Sequence, residues 1–155
     1  LAVVEFVKPT GEMLRVVADT MRQADVDEVA ASHGHTPLQA LQVGVDVSDF
    51  IVAVVIDGDP VAIMGLSKCN PITGTGVPWL LSSENALKYK REFLLQSPKV
   101  IEQMLNICPN LFNFVHAENK TSVRWLKWLG FTIEEPKPLG VKKEMFHRFH
   151  MKKAD

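Results

Sequence analysis

Two hydrophobic rhythms alternate along the chain, and the order of their changes predicts a fold. Residues 3–7 (V-V-E-F-V) read as a first strand. Met13, Leu14, Val17, Ala18 and Met21 then recur at helical spacing behind Thr10, a residue type that caps helix N-termini. A second short helix is expected around residues 25–32 and a third near residues 37–43, where Pro37 suits a first helical position. Residues 50–56 (F-I-V-A-V-V-I) predict a buried strand, Asp57-Gly58-Asp59 a hairpin turn, and residues 60–68 its partner. Residues 69–76 are rich in Gly, Pro, Asn and Thr and read as a loop.

Residues 77–81 form the fourth expected strand, with Trp79 packed beneath the helix that follows. Ser82 or Ser83 opens that long helix, which runs to about Ile107. A break is expected near Gln96 and Ser97, because Pro98 lacks a helical N–H donor. Residues 111–117 (L-F-N-F-V-H-A) read as a strand, residues 119–130 as a short helix, and residues 131–134 and 140–151 as the last strands. Three antiparallel strands followed by strand–helix–strand require a parallel crossover, which is right-handed almost by rule. A single α/β domain follows: a mixed, twisted sheet with helices on both faces.

Composition narrows the function classes. The 155 residues are 46% hydrophobic, enough chain for one full core, and the net charge is −1. No basic surplus signals nucleic acid; Lys88, Lys90 and Arg91, and Lys142, Lys143, Lys152 and Lys153, read as solvated faces. No apolar run reaches the roughly 18 residues of a membrane span. The opening run L-A-V-V-E-F-V-K lacks a basic region and reads as strand, not signal peptide. Cys69 and Cys108 lie far apart without metal-ligand spacing, so reduced thiols and no metal site are expected.

The most specific stretch is Asn119 to Phe131, N-K-T-S-V-R-W-L-K-W-L-G-F. Asn119 can cap the helix, Val123, Leu126 and Leu129 lie at helical spacing, and Gly130 suits a left-handed C-terminal cap. Trp125 and Trp128, three apart, cannot both face the core. Strand, Asn, amphipathic helix, Gly-Phe, strand is a pattern that resembles the GNAT acyltransferases. The run L-F-N-F-V-H-A-E-N-K-T-S-V-R-W-L-K-W-L-G, with the strand W-L-L-S-S, is also similar to the small internal virion proteins of short-tailed phages.

The GNAT resemblance implies acetyl-CoA or CoA as ligand, with Leu81, Ser82, Ser83, Asn119 and Ser122 at the positions that contact it. Two of the family's devices are absent. The glycine-rich diphosphate loop is replaced by L-L-S-S-E-N-A-L, without glycine and with Glu84 adding negative charge. The proton-donating tyrosine of N-x-x-A-x-x-L-Y is Leu126, and the chain's one tyrosine, Tyr89, lies on the other helix. Weak CoA binding is therefore expected.

His116 with Glu118 is the candidate general base, against a plain strand histidine. His33 and His35 read as a surface loop, and His147 and His150 as a half-exposed edge. The virion resemblance implies a phage assembly protein with little or no catalysis, partnered by virion proteins, in the particle or the host cytoplasm. The alternative is an active acetyl-CoA-dependent N-acetyltransferase acting on an amine. The oligomeric state stays open.

Overall fold

The computed structural model describes residues 2–155. The elements are β1 (Val4–Val7), α1 (Gly11–Asp19), α2 (Gln23–His33), α3 (Pro37–Val47), β2 (Ser48–Ile56), β3 (Asp59–Ser67), β4 (Thr75–Gly76), β5 (Pro78–Ser82), α4 (Lys90–Ile107), β6 (Asn110–His116), α5 (Lys120–Leu129), β7 (Thr132–Ile133), β8 (Lys137–Leu139) and β9 (Glu144–Lys152).

Local chemistry explains most boundaries. Thr10 caps α1 by accepting the Met13 N–H. Thr36 and Gln39 form a reciprocal capping box that starts α3, with Pro37 in the first turn. Asp57 (φ 50°) and Gly58 (φ 81°) make the tight turn that registers β2 against β3. Gly130 closes α5 in the left-handed region.

Strand residues alternate between two cores. Val54, Ile56, Ala62, Met64 and Leu66 face α4 and α5, packing on Val100, Met104 and Leu126. Ala53, Val55, Ile63 and Leu81 face the other way, onto Val17 and Met21 at α1 and Leu41 of α3. Helices thus cover both faces of a mixed α/β sheet, as expected. Trp79 differs from expectation. It packs against Gly44 of α3 and Gly65 of β3, where an added Cβ would stand 2.8 Å from its ring, and its Nε1 donates to Ser48 Oγ at 2.8 Å. It therefore lies on the face opposite α4.

The long helix also differs. Ser83 caps a 3-10 segment, Glu84–Tyr89, and α4 begins only at Lys90. α4 then runs unbroken through Pro98, where Ser97 Oγ donates to Phe93 O. The cysteines are the larger correction. Cys69 and Cys108 form a disulfide rather than two reduced thiols. Their separation of 39 residues is bridged because α4 returns its C-terminus to the loop that leaves β3.

The sheet is split. β1-β2-β3-β5 form one half, antiparallel throughout, and β4-β6-β9-β7 with β8 form the other. β4 and β5 are consecutive, parted at Val77. β4 pairs in parallel with β6 at Thr75–Asn110 and Gly76–Leu111, whereas β5 pairs with β3. Beyond that fork β5 and β6 diverge into a V.

Candidate functional site

The V encloses a cavity of about 490 Å³. Its walls are mostly apolar: Leu80, Leu81 and Trp79 on one arm, Phe114 and Val115 on the other, and Val100, Met104, Trp125, Leu126 and Leu129 from α4 and α5. This is the size range of small-molecule sites, about 300–1,000 Å³. Asp25 and Glu28 of α2 add two buried carboxyls to its lining.

A splayed strand leaves backbone N–H groups without a ladder partner, and buried donors require acceptors. α2 supplies them. Asp25 Oδ2 accepts from the Ser82 N–H at 3.1 Å and from Ser82 Oγ at 3.2 Å. Asp25 Oδ1 accepts from Arg22 Nη1 at 3.1 Å and Asn119 Nδ2 at 3.4 Å, and Arg22 Nη2 donates to Asn119 Oδ1 at 3.3 Å. On the other arm, Glu28 Oε1 accepts from the His116 N–H at 2.7 Å. Burial pushes the Asp25 carboxyl above its ordinary value, against the pull of Arg22 and its hydrogen bonds. Burial also raises Glu28 to about 7, with the His116 N–H opposing and the Asp25 charge adding to the rise.

The candidate residues read from the sequence separate into three places. Leu81 and Ser122 line the cavity. Ser82, Ser83 and Asn119 are buried behind it. Asn119 stands at the α5 N-cap position but makes no side-chain cap; its amide is committed to Arg22 and Asp25 instead. His116 ends β6 with both ring nitrogens engaged. Nδ1 accepts from the Glu118 N–H at 3.1 Å, which leaves the proton on Nε2, donated to Glu144 Oε1 at 2.8 Å. Glu118 is exposed, and its backbone rather than its carboxylate meets His116. His33 and His35 stack at 5.4 Å on the cavity rim.

Sequence reasoning missed Arg22, Asp25 and Glu28. The available signal was Asp25 and Glu28 at a spacing that puts both on one face of the expected second helix.

The segment that would cradle a diphosphate is internally satisfied. The Ser82 N–H is held by Asp25, the Ser83 N–H by Val61 O at 2.8 Å and the Glu84 N–H by Thr20 O at 2.7 Å. The Asn85 N–H goes to Ser83 Oγ at 3.1 Å and the Ala86 N–H to Ser83 O at 3.0 Å. With Glu84 alongside and no glycine, these residues do not fit the diphosphate of CoA. No group of three or more His, Cys, Asp or Glu side chains able to hold a metal occurs among the described residues. No helix among them is long and apolar enough to cross a membrane.

No family model matches the chain, and no curated protein matches it. Solved structures do. An acetyltransferase from Bacillus subtilis in complex with CoA is similar at a TM-score of 0.68 and 10% identity, over 99% of this chain and 100% of that one. A variant of the spermidine N-acetyltransferase SpeG from Vibrio cholerae matches at 0.67 and 10% identity, over 96% and 93%. YncA from Salmonella typhimurium with its cofactor acetyl-CoA matches at 0.66 and 12% identity, over 99% and 95%. At these identities the likeness is one of fold: the chain has the GNAT acetyltransferase fold.

Proposed function

We propose that this protein keeps the cleft of a GNAT acetyltransferase but uses it to hold an apolar ligand, with little or no acyl transfer from CoA. The observation that carries this reading is the run of five consecutive N–H groups, from Ser82 to Ala86, all committed to acceptors within the chain. Leu126, where the resemblance places a tyrosine, is buried and lines the cavity, so no side chain there can protonate a leaving thiolate. What remains is an apolar chamber of about 490 Å³. The stretch from Leu111 to Gly130, with its likeness to internal virion proteins, supports a role in a phage particle or its assembly.

A neutral fluorescent probe, N-phenyl-1-naphthylamine, tests the cleft. Saturable binding that Ser122→Trp abolishes, in a variant that melts normally, is the expected result. Binding unchanged by that cavity-filling substitution overturns the reading. The assembly role is tested by mass spectrometry of particles and assembly intermediates from infected cells.

Amine acylation is the second reading, and Glu28 favours it. A carboxyl at about 7 facing the cleft has the strength a general base needs at neutral pH. It suits that role better than His116, whose Nδ1 lone pair is already taken. The acetyltransferase names of the solved structures support the same reading at the level of fold. Release of CoA thiol from acetyl-CoA in the presence of a polyamine, lost in Glu28→Gln and kept in His116→Ala, would establish it.

A further inference from the structure

The halves of the split sheet are joined at few points, and one of them is covalent. β4, which runs on through Val77 into β5 of the first half, pairs in parallel with β6 of the second over two residues, Thr75 and Gly76. Asn113 Nδ2 donates across the fork to Pro78 O at 2.7 Å. The covalent link is the Cys69–Cys108 disulfide. Cys69 lies just beyond β3, a strand of the first half-sheet. Cys108 ends α4 and leads into β6, a strand of the second. The bond lies against the fork itself, for a Cβ on Gly76 would stand 3.1 Å from Cys108 Sγ and 3.0 Å from Leu66 Cδ1. The loop it closes contains β4, β5 and α4, one arm of the cleft and the helix beneath it.

We propose that this disulfide is a redox-operated staple across the hinge of the cleft. Formed, it clamps the end of α4 and the start of β6 to the loop after β3 and fixes the spread of the two arms. Reduced, it leaves the base of the fork to the short β4–β6 pairing and the Asn113 contact, with α2 still holding the arms at Ser82 and His116, and the fork loosens. The inference does not depend on what the cleft binds.

The chemistry is ordinary thiol–disulfide exchange with a soluble dithiol. Cys69 is partly exposed whereas Cys108 is fully buried, so the reductant's thiolate attacks Cys69 Sγ. The bond to Cys108 breaks, and Cys108 leaves as a thiolate that takes a proton from water. The reductant's second thiol attacks the mixed disulfide, releases Cys69 as a thiolate and closes its own disulfide. Two electrons pass to the protein, and an oxidised thiol returns the bond by the reverse exchange.

Hydrogen–deuterium exchange of the full chain tests this in the oxidised, dithiothreitol-reduced and glutathione-reoxidised states. Reduction is expected to speed exchange at residues 74–78 and 109–113 by at least about tenfold. The β1–β2 pairing should be unchanged, and reoxidation should restore the slow pattern. Cys69→Ser should show the fast pattern with or without reductant. Equal exchange at the fork in both redox states overturns the staple. So does acceleration spread evenly over the chain, which would make the bond a general cross-link, and so does failure of oxidised glutathione to re-form it.

Discussion

Asp25 and Glu28, one turn apart on α2, each accept a backbone N–H from a different arm of the split sheet: Ser82 at 3.1 Å and His116 at 2.7 Å. Splitting a sheet strands donors on both arms, and an unpaired buried N–H costs about 1–3 kcal/mol. Here one helix meets that requirement with two carboxylates. The donors are thereby closed to a ligand's carbonyl or phosphate. The same carboxylates that stabilise the V occupy those two donors.

The Asp25 network should be a major source of stability. Asp25→Ala leaves the Arg22 guanidinium, with its side chain only 14% exposed, without its charge partner, bonded only to Asn119 Oδ1, and the Ser82 N–H without an acceptor. Breaking such a pair costs about 3–5 kcal/mol. Asp25→Asn keeps the shape and part of the bonding, and should cost about 1–3 kcal/mol. Urea unfolding of both variants measures this. A loss below about 1 kcal/mol for Asp25→Ala would contradict the role.

Glu28 should give stability a pH dependence of unusual sign. Its carboxyl stands at about 7 in the folded chain against an ordinary 4.5, so between those values the native state holds a proton that the unfolded chain has lost. Stability from this group is therefore full below about 4.5, falls as pH rises through that window, and is flat above 7. Asp25, also raised, acts in the same direction from 3.8 upward. Glu28→Gln should flatten the fall, seen as a smaller difference between urea midpoints at pH 5 and pH 8. An unchanged difference would place the titration elsewhere.

Two glycines with left-handed φ should respond differently to alanine. At Gly140 (φ +79°) an added Cβ would meet Ala31 O at 2.6 Å and the Ser32 backbone at 2.8 Å, so the β8–β9 turn must move off the end of α2. At Gly58 (φ +81°) nothing lies within 4 Å. Gly58→Ala should cost about 1 kcal/mol from φ alone, and Gly140→Ala about 3 kcal/mol or more. Thermal melts decide it, and equal losses would contradict the close packing at Gly140.

The fold was legible because its signals are local. Thr10, Pro37, Asp57-Gly58 and Gly130 each act within a few residues, and the continuous apolar run of β2 marks a strand buried on both faces. The site was legible in part, through Leu81 and Ser122 in the cavity wall and through two absences, Leu126 for tyrosine and Ser-Ser-Glu for glycines. What fills the gap was hidden because it acts over long range. Asp25 meets Ser82 across 57 residues, Glu28 meets His116 across 88, and Cys69 meets Cys108 across 39. Asn119 misled for the same reason. A good local cap was outbid by Arg22, 97 residues away.

On the proposed reading, Leu126→Tyr should not bring acetyl transfer. Leu126→Tyr returns a proton donor but leaves the N–H groups from Ser82 to Ala86 committed. CoA thiol release from acetyl-CoA by this variant should stay at the wild-type level. A gain of about a hundredfold, the lower end of what acid assistance supplies, would mean the cofactor binds in the family's pose.

Calorimetric titration of the wild-type chain with acetyl-CoA tests the central claim most directly. With the donors of residues 82–86 spoken for and Glu84 beside them, no saturable heat is expected below about millimolar concentration, weaker than about −4 kcal/mol. A dissociation constant near micromolar, about −8 kcal/mol, would contradict it and put acetyl transfer first.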